Sequence, residues 1–191
     1  MDLAIKPALS TRGRLVVIVG PSGAGKDTLI DYARRALANR ADFGVVQRVI
    51  TRPEEAGGEA HSACGLDDFA RLKAEGAFCV DWGAHGLCYG VPAELRQDLA
   101  SGAVRLVNGS RRALPLFRAA FGHVETVLVT AAPEVLARRL AARGRESLEE
   151  IKARLARQVE DRPEDYDLVI SNDGAVEEAG ERLAAFLRGC E

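Results

Sequence analysis

A glycine-rich segment directly after a short aliphatic run constrains this chain more than any other feature. The run Leu15–Val19 has the length and β-branched composition of a buried strand. The segment after it matches the pattern G-x-x-x-x-G-K, which wraps backbone N–H groups around phosphate oxygens at the start of a helix. The pattern therefore predicts a P-loop that binds the phosphates of a nucleotide, with the residues Gly20-Pro21-Ser22-Gly23-Ala24-Gly25-Lys26-Asp27-Thr28.

The residue after the P-loop lysine departs from the usual pattern. Lys26 is expected to reach the β and γ phosphates, and the next residue is ordinarily a Ser or Thr whose hydroxyl helps to hold Mg²⁺. Here that residue is Asp27. Because a carboxylate beside a triphosphate is repelled unless a cation lies between them, we predict that Asp27 contacts Mg²⁺, directly or through water. The alternative is that Asp27 only complements the helix dipole.

Short β-branched runs alternate with longer amphipathic stretches along the chain, which predicts an α/β fold with a parallel sheet flanked by helices. About 40 residues from Arg52 to Gly90 interrupt this alternation, too many for a plain crossover, and we expect a substrate-binding insertion there. The predicted strands are Leu15–Val19, Val45–Ile50, Val104–Val107, Val124–Val129 and Leu168–Ile170. The predicted helices are Thr28–Leu37, Leu66–Glu75, Ala93–Leu99, one capped by Ser110 that runs to Phe121, Glu134–Arg143, Ser147–Glu160 and Val176–Leu187.

Charge and cysteine spacing argue against several classes of function. The 26 Lys and Arg against 28 Asp and Glu give a net charge of −2, unlike a nucleic-acid binder held by a basic face. No apolar run approaches the roughly 20 residues of a membrane helix, and Met1–Ser10 lacks the order of a secretory signal. The cysteines form no C-x-x-C pair, so we expect reduced thiols and a cytoplasmic location. From the charge and the hydropathy we expect neither nucleic acid nor a membrane as partner. The oligomeric state, a homodimer included, stays open.

Further motifs give the chain a resemblance to the guanylate kinase family of P-loop monophosphate kinases, from Arg14 to Leu187. Besides the P-loop they are Thr51-Arg52-Pro53, Gly58-Glu59, Gly76-Ala77-Phe78, Tyr89-Gly90 and the run Arg139–Arg154. The resemblance implies a P-loop NTPase fold with a parallel core sheet, a substrate-binding insertion and a helical lid. We accordingly expect a tail over 1–13 and a single kinase domain over 14–191, with the core in 14–51, 91–137 and 161–188, the insertion in 52–90 and the lid in 138–160.

The resemblance also implies roles for particular residues. Lys26 and three lid arginines, Arg139, Arg143 and Arg154, would stabilise the charge of the transferring phosphoryl group. ATP would be the co-substrate and Mg²⁺ the cofactor. Asn172 falls where the family has an adenine contact, although Asn-Asp-Gly is also an ordinary turn signal.

The residues with which the guanylate kinase family binds guanine are absent from this sequence. Arg52 and Tyr89 match acceptor-phosphate contacts of the family, but Glu55 stands in place of the second acceptor arginine. Val80 and Val91 occupy the positions of the Glu and of the Ser or Thr that bind the base. Because two valines would leave the polar edge of a guanine unpaired, at about 1 to 3 kcal/mol per group, GMP is a poor candidate substrate.

The altered set of motifs resembles the ribose 1,5-bisphosphate phosphokinase branch of the family. This resemblance implies transfer of the ATP γ-phosphoryl group to the 1-phosphate of ribose 1,5-bisphosphate, which gives 5-phosphoribosyl 1-diphosphate and ADP in phosphonate breakdown. The rival hypotheses are a nucleoside monophosphate kinase of another specificity and an interaction module without activity. The motifs are the Gly-Lys-Asp of the P-loop, Thr51-Arg52-Pro53 with Gly57-Gly58-Glu59 and His61, Trp82 with Ala84-His85-Gly86, Tyr89-Gly90-Val91-Pro92, and Val107-Asn108-Gly109-Ser110-Arg111.

An acceptor with two phosphates requires additional hydrogen-bond donors. Arg111, near a predicted strand end, is the first candidate for the second phosphate, and Arg112 and Arg48 rank below it. Asn108 stands where the family has an acidic residue, and we infer that the carboxylate on the metal side has moved to Asp27. The predicted substrate-binding residues are Arg52, Glu59, His61, His85, Tyr89, Asn108 and Arg111.

Overall fold

The computed structural model describes residues 13–53, 60–142 and 161–189, and the chain divides into two compact units. Each unit is assembled from segments that are distant in the sequence. Unit 1 takes in Met1–Leu15, Asp42–Val107 and Arg112–Val124, and unit 2 takes in Val16–Ala41, Asn108–Arg111 and Glu125–Glu191.

Helices and strands alternate along most of the described chain. Two 3₁₀ turns, Arg111–Ala113 and Pro163–Asp165, accompany them. In chain order the elements are β1 (Arg14–Val19), α1 (Lys26–Ala36), β2 (Phe43–Val45), β3 (Val49–Ile50), β4 (Ser62–Ala63), α2 (Leu66–Ala74), β5 (Phe78–Ala84), β6 (Leu87–Pro92), α3 (Leu95–Ala100), β7 (Val104–Asn108), α4 (Leu114–Phe121), β8 (Glu125–Thr130), α5 (Pro133–Ala141), β9 (Leu168–Ser171) and α6 (Val176–Arg188).

The strands of unit 2 run parallel, in the order β1-β8-β9. Val16–Val19 are completely buried, which is typical of a parallel sheet covered on both faces. Asp167 joins the start of β9 to β8, because its carboxylate accepts hydrogen bonds from the Thr126 N–H and hydroxyl at 2.7 and 2.8 Å. α1 packs against α6, and α6 packs against β9. The predicted parallel sheet flanked by helices is therefore confirmed.

The sequence explains where α1 begins. Gly25, the residue before the helix, has a φ of 90°, a left-handed conformation that suits glycine. Asp27 lies in the first turn and Arg34 and Arg35 lie in the last, so the charges complement the helix dipole. Across the described ranges, none of the helices is both long and apolar enough to cross a lipid bilayer.

Unit 1 contains a parallel pair of strands and a second, mixed sheet. β2 pairs with β7 in parallel. The mixed sheet has the order β4-β3-β6-β5, in which β3 runs parallel to β4 and antiparallel to β6. β5 and β6 form a hairpin whose turn is His85-Gly86, with φ values of 52° and 74°. Two positive φ values in succession are what a type I′ turn requires.

Two local predictions are wrong. The predicted strand Val45–Ile50 is in fact two strands, because β2 pairs with β7 whereas β3 belongs to the mixed sheet. Between them lies Arg48, whose side chain is buried against aromatic rings of the mixed sheet. Ser110 does not cap α4, because the 3₁₀ turn Arg111–Ala113 intervenes and the helix has no side-chain cap.

Candidate active site

The P-loop in unit 2 is held by its own backbone and by its lysine. The Ala24 N–H donates to the Pro21 carbonyl at 3.2 Å. Lys26 lies at the start of α1, and its ammonium group donates to the carbonyls of Gly20 and Pro21 at 2.8 and 3.1 Å. The lysine charge is thereby kept at the loop, where a P-loop lysine meets phosphate oxygens. Phosphate binding by the loop residues stays a prediction.

Two side chains from other elements of unit 2 contact the P-loop backbone. Asn172, directly after β9, is 2% exposed, and its Nδ2 donates to the Ala24 carbonyl at 2.7 Å. Its Oδ1 is a buried acceptor without a hydrogen-bond partner in the part of the chain that the structure describes. Arg139 of α5 approaches the carbonyls of Gly23 and Ala24 at 3.5 and 3.4 Å. The structure thus brings together three of the predicted nucleotide-side elements: the loop, the asparagine and a lid arginine.

Asp27 and Asn108 are hydrogen-bonded to each other in unit 2. Asn108 ends β7, is 7% exposed, and donates from Nδ2 to Asp27 Oδ1 at 2.9 Å. The amide fixes the orientation of the carboxylate. One carboxylate beside a phosphate-binding loop fits Mg²⁺, which commonly takes one or two protein carboxylates together with substrate phosphates and waters. The described residues contain no group of three His, Cys, Asp or Glu that would form an all-protein metal site.

Arg111 has a carboxylate partner within unit 2. Its NH1 group lies 2.5 Å from Asp161, and the two side chains are 23% and 15% exposed. The Tyr166 hydroxyl donates to the other oxygen of Asp161 at 2.8 Å. Burial and then this hydrogen bond raise the pKa of Tyr166 to about 12, so the hydroxyl remains a donor at neutral pH. Asp161 and Tyr166 could not be predicted from the sequence, because nothing local connects them to Arg111.

In unit 1, Arg52 and His61, which are predicted to bind the acceptor substrate, contact each other. His61 is 4% exposed, with Nε2 3.0 Å from the Arg52 carbonyl and Nδ1 3.5 Å from Arg52 NH2. Thr51 joins this segment to β6, since its N–H donates to the Cys88 carbonyl at 3.1 Å and its Oγ1 accepts from the Cys88 N–H at 2.8 Å. Arg52 Nε is buried and has no hydrogen-bond partner among the described residues. A buried cationic donor of this kind suits an anionic ligand.

Tyr89, the third residue of unit 1 that is predicted to bind the acceptor substrate, belongs to an aromatic pair. It lies on β6 opposite Trp82 on β5, and the rings stack with centroids 5.3 Å apart and planes 7° apart. The guanidinium carbon of Arg48 lies 5.0 Å from the Tyr89 centroid and 5.4 Å from the Trp82 centroid, within cation–π range. From the sequence, Arg48 is only a low-ranked candidate and Trp82 has no predicted role. Their association becomes visible only when the strand register is known.

The remaining candidates do not join these clusters in the described structure. His85 lies exposed in the β5-β6 turn, and Arg112 is exposed in the 3₁₀ turn before α4. Glu59, Arg143 and Arg154 lie outside the described residues, as does the predicted helix over 147–160. Their binding roles stay predictions.

Known proteins match this chain over almost its full length. The family model described as Guanylate kinase matches residues 12–189. The protein named ribose 1,5-bisphosphate phosphokinase PhnN from Rhizobium etli is 50% identical over 179 residues, which cover 93% of this chain and 91% of that protein. This chain belongs to the ribose 1,5-bisphosphate phosphokinase branch of the guanylate kinase family. The phosphokinase of the same name from Agrobacterium fabrum is 49% identical over 175 residues, 91% of this chain and 96% of that protein.

A solved structure shows the same fold at low sequence identity. The crystal structure of guanylate kinase from Anaplasma phagocytophilum aligns with a TM-score of 0.69 and 22% identity over 94% of this chain and 86% of that chain. The guanylate-kinase-like fold expected from the motifs is therefore confirmed, and so is membership of the phosphokinase branch.

Proposed function

We propose that this chain transfers the γ-phosphoryl group of ATP to the 1-phosphate of ribose 1,5-bisphosphate, with 5-phospho-α-D-ribose 1-diphosphate and ADP as products. The observation that carries the proposal is a pair of valines. Val80 and Val91 are cross-strand partners in the β5-β6 hairpin and are 4% and 0% exposed. They occupy the positions that the resemblance assigns to guanine recognition, and they offer only methyl groups. Neither side chain can pair with the polar edge of a guanine, so an acceptor without a base fits these positions, and the relatives at 50% and 49% identity are named for such an acceptor.

The proposed reaction requires placement and charge neutralisation rather than a general base. An oxygen of the 1-phosphate attacks the γ-phosphorus of ATP, a new P–O bond forms, and the bond to ADP breaks with ADP as the leaving group. The attacking oxygen is already anionic at neutral pH, so no proton has to be removed. Lys26 and Arg139 supply positive charge beside the P-loop, and we propose that Arg143 and Arg154 add to it.

Three observations support the assignment of individual residues to ATP, Mg²⁺ and the acceptor. Asn172 Oδ1 is a buried acceptor beside the P-loop and suits the amino group of adenine. Asp27, oriented by the amide of Asn108, would hold Mg²⁺, and the ion would neutralise negative charge on the phosphates of ATP. Arg52, with its buried Nε, would hold the reacting phosphate together with Tyr89.

The composition of the chain bears on where the protein acts and on the class of its partners. We assign the reaction to the cytoplasm, as a step of phosphonate breakdown, with small molecules rather than nucleic acid or membrane as partners. The net charge of −2 supports this, and so do the thiols of Cys64, Cys79 and Cys88, which are free. Burial raises the pKa of the Cys79 thiol to about 11, which keeps it protonated and unreactive.

Product identification tests the proposed function. The protein is incubated with ATP, Mg²⁺ and ribose 1,5-bisphosphate, and we expect a diphosphate at carbon 1 in the phosphorus NMR spectrum with one ADP per product. A parallel incubation with GMP and other nucleoside monophosphates serves as the control and should release ADP only at background rate. Turnover of GMP without turnover of the sugar bisphosphate would identify a nucleotide kinase. Failure to bind ATP with Mg²⁺ would identify an interaction module.

Exchange of the two hydrogen-bonded side chains tests the metal assignment. The variant Asp27→Asn should require at least tenfold more Mg²⁺ for half-maximal turnover, because it removes the carboxylate that would hold the ion. Adding Asn108→Asp to that variant returns a carboxylate to the strand end and keeps an amide-to-carboxylate pair, since the two side chains lie 2.9 Å apart. We therefore expect the double variant to recover much of the Mg²⁺ affinity.

An exposed aspartate of the same helix provides the control for this exchange. Asp31 pairs with Arg34 at 2.8 Å and is 57% exposed, so Asp31→Asn should leave the Mg²⁺ requirement unchanged. An unaltered Mg²⁺ requirement in Asp27→Asn would mean that Asp27 complements the helix dipole and does not hold the ion.

A further inference from the structure

The side-chain amide of Asn172 has two ends with different surroundings. Its Nδ2 donates to the Ala24 carbonyl of the P-loop at 2.7 Å, whereas its Oδ1 is buried without a hydrogen-bond partner among the described residues. A reversed amide would bring two oxygens together at that distance, so the direction of the amide is fixed by its chemistry. The proposed contact with adenine uses only the Oδ1 end and leaves the Nδ2 end without a role in the reaction.

Neighbouring elements of unit 2 hold the backbone around Asn172 in place. The Asn172 N–H donates to the carbonyl of Thr130, the last residue of β8, at 2.8 Å. The carboxylate of Asp173 accepts from the N–H of Ala132, directly before α5, at 2.6 Å. Asn172 itself directly follows β9. The amide is therefore attached to three elements of the fold, and an anchor of this kind can hold a neighbouring loop.

The lack of a side chain at Gly25 makes the contact between the amide and the loop possible. A Cβ added to Gly25 would lie 2.3 Å from Asn172 Nδ2, a distance at which one of the two groups would have to move. The second glycine of the P-loop pattern therefore permits this close approach in addition to the left-handed backbone before α1. Asn172 and the loop are packed directly against each other.

Anchoring the Ala24 carbonyl fixes one peptide plane of the P-loop. The described residues contain no cis peptide bond, so the Ala24 C=O and the Gly25 N–H point in opposite directions across one planar unit. With the carbonyl held at Asn172, the Gly25 N–H points away from Asn172. P-loops bind phosphate oxygens through backbone N–H groups of this kind. A donor whose direction is fixed before the ligand arrives lowers the entropy cost of binding.

Arg139 contacts the same stretch of the loop but is a weaker anchor. Its NH1 lies 3.5 Å from the Gly23 carbonyl and 3.4 Å from the Ala24 carbonyl, beyond the usual length of an N–H···O hydrogen bond. The proposed reaction also requires the charge of Arg139 at the transferring phosphoryl group. The 2.7 Å contact of Asn172 does not involve that charge, so it can hold the loop throughout the reaction.

We propose that Asn172 is a positioning residue for the phosphate-binding loop, whose amide holds the peptide between Ala24 and Gly25 in the orientation that binds the triphosphate of ATP. The inference rests on the ATP-binding part of the proposed function, because it gives a second task to a residue of that site. Asn172 acts on the phosphates through the loop backbone. Its loss therefore weakens phosphate binding even when the ligand carries no base.

A ligand without a base separates the two tasks of Asn172. Inorganic tripolyphosphate with Mg²⁺ carries the phosphate chain of ATP without adenine or ribose, and calorimetric titration of the full-length protein gives its Kd. The variant Asn172→Leu keeps nearly the same side-chain shape but has neither donor nor acceptor. We expect the Kd of tripolyphosphate to rise about three- to tenfold, as for the loss of one buried hydrogen bond. The Kd of ATP should rise further, because the adenine contact is lost as well.

Steady-state kinetics give a readout that a contact with the base alone would leave unchanged. Excess ATP overcomes a weakened base contact, whereas a misdirected loop places the phosphates incorrectly even at saturation. We therefore expect the kcat of Asn172→Leu at saturating ATP to fall by about threefold or more. Asn39→Leu is the matched control, because Asn39 is exposed and follows α1 in the same unit. It should keep both Kd values and kcat within about twofold of wild type.

The outcomes separate this inference from the proposed function. If the wild-type protein binds neither ATP nor tripolyphosphate in the presence of Mg²⁺, the proposed function fails. If Asn172→Leu binds ATP more weakly but keeps the wild-type Kd for tripolyphosphate and the wild-type kcat, Asn172 contacts the base alone. That result overturns the inference and leaves the proposed function in place. Should circular dichroism show that the leucine variant does not fold, Asn172→Ala decides by the same two measurements.

Discussion

Replacement of Lys26 by methionine should lower kcat by about a hundred- to a thousandfold, the usual effect of removing one charge-stabilising donor from a transition state. The Lys26 ammonium is held by the Gly20 and Pro21 carbonyls, at 2.8 and 3.1 Å, so its charge is placed at the loop before ATP binds. Methionine keeps the length of the side chain and removes only the charge and the donors. Initial rates of ADP release at saturating ATP and ribose 1,5-bisphosphate measure the effect.

A second lysine provides the control for this prediction. Lys73 in α2 pairs with Asp81 at 2.5 Å and is 59% exposed, so Lys73→Met removes a surface charge of the same kind. We expect its kcat to stay within twofold of the wild-type value, since exposed ion pairs contribute little. Should Lys26→Met keep more than a tenth of wild-type kcat while Lys73→Met is unchanged, the lysine would have no direct part in phosphoryl transfer.

Substitution of Gly20 by alanine should lower the free energy of unfolding by about 3 kcal/mol or more, through backbone strain combined with overpacking. Gly20 has a φ of 147°, and a Cβ at this position would lie 2.1 Å from the carbonyl oxygen of Val129 in β8. That oxygen belongs to the backbone of a buried parallel strand, so it cannot move aside as a flexible side chain would. Urea denaturation followed by circular dichroism gives the difference in stability.

Gly76 separates the two contributions to that effect. It also has a positive φ, 77°, but an added Cβ there would meet no atom within 4 Å. Gly76→Ala therefore carries only the cost of a left-handed backbone, about 1 kcal/mol. Equal losses of stability in the two variants would contradict the close approach between the P-loop and β8.

Within the described residues, local sequence patterns predicted the helices α1 to α6 and the buried strands β1, β7, β8 and β9. The P-loop, β1, β8 and β9 were found because each depends on a continuous stretch of residues, either a glycine pattern or an aliphatic run. The β5-β6 hairpin was missed as a pair of strands. Its residues are mostly half-buried, without the alternation that identifies a strand with one buried face. The turn His85-Gly86 was therefore the only local hairpin signal.

The candidate site also combines residues that the sequence predicted with partners that only the structure shows. The resemblance of motifs supplied Lys26, Arg52 and Asn172, which lie in or beside recognisable blocks. It supplied neither the Asp161 carboxylate that engages Arg111 nor the aromatic pair beneath Arg48, since their partners come from other elements. Which groups engage these arginines therefore could not be predicted from the sequence.

The sequence by itself determined the glycine-rich loop between β1 and α1, the α/β class and the family, because these follow from residues that are adjacent in the chain or recur with a fixed period. The tertiary structure alone decided the partners of the charged groups. Arg48 reaches Trp82 and Tyr89 through the register of three strands, and Arg111 meets Asp161 across 50 residues of chain. Register and long-range pairing depend on how distant segments pack, and no local pattern encodes them.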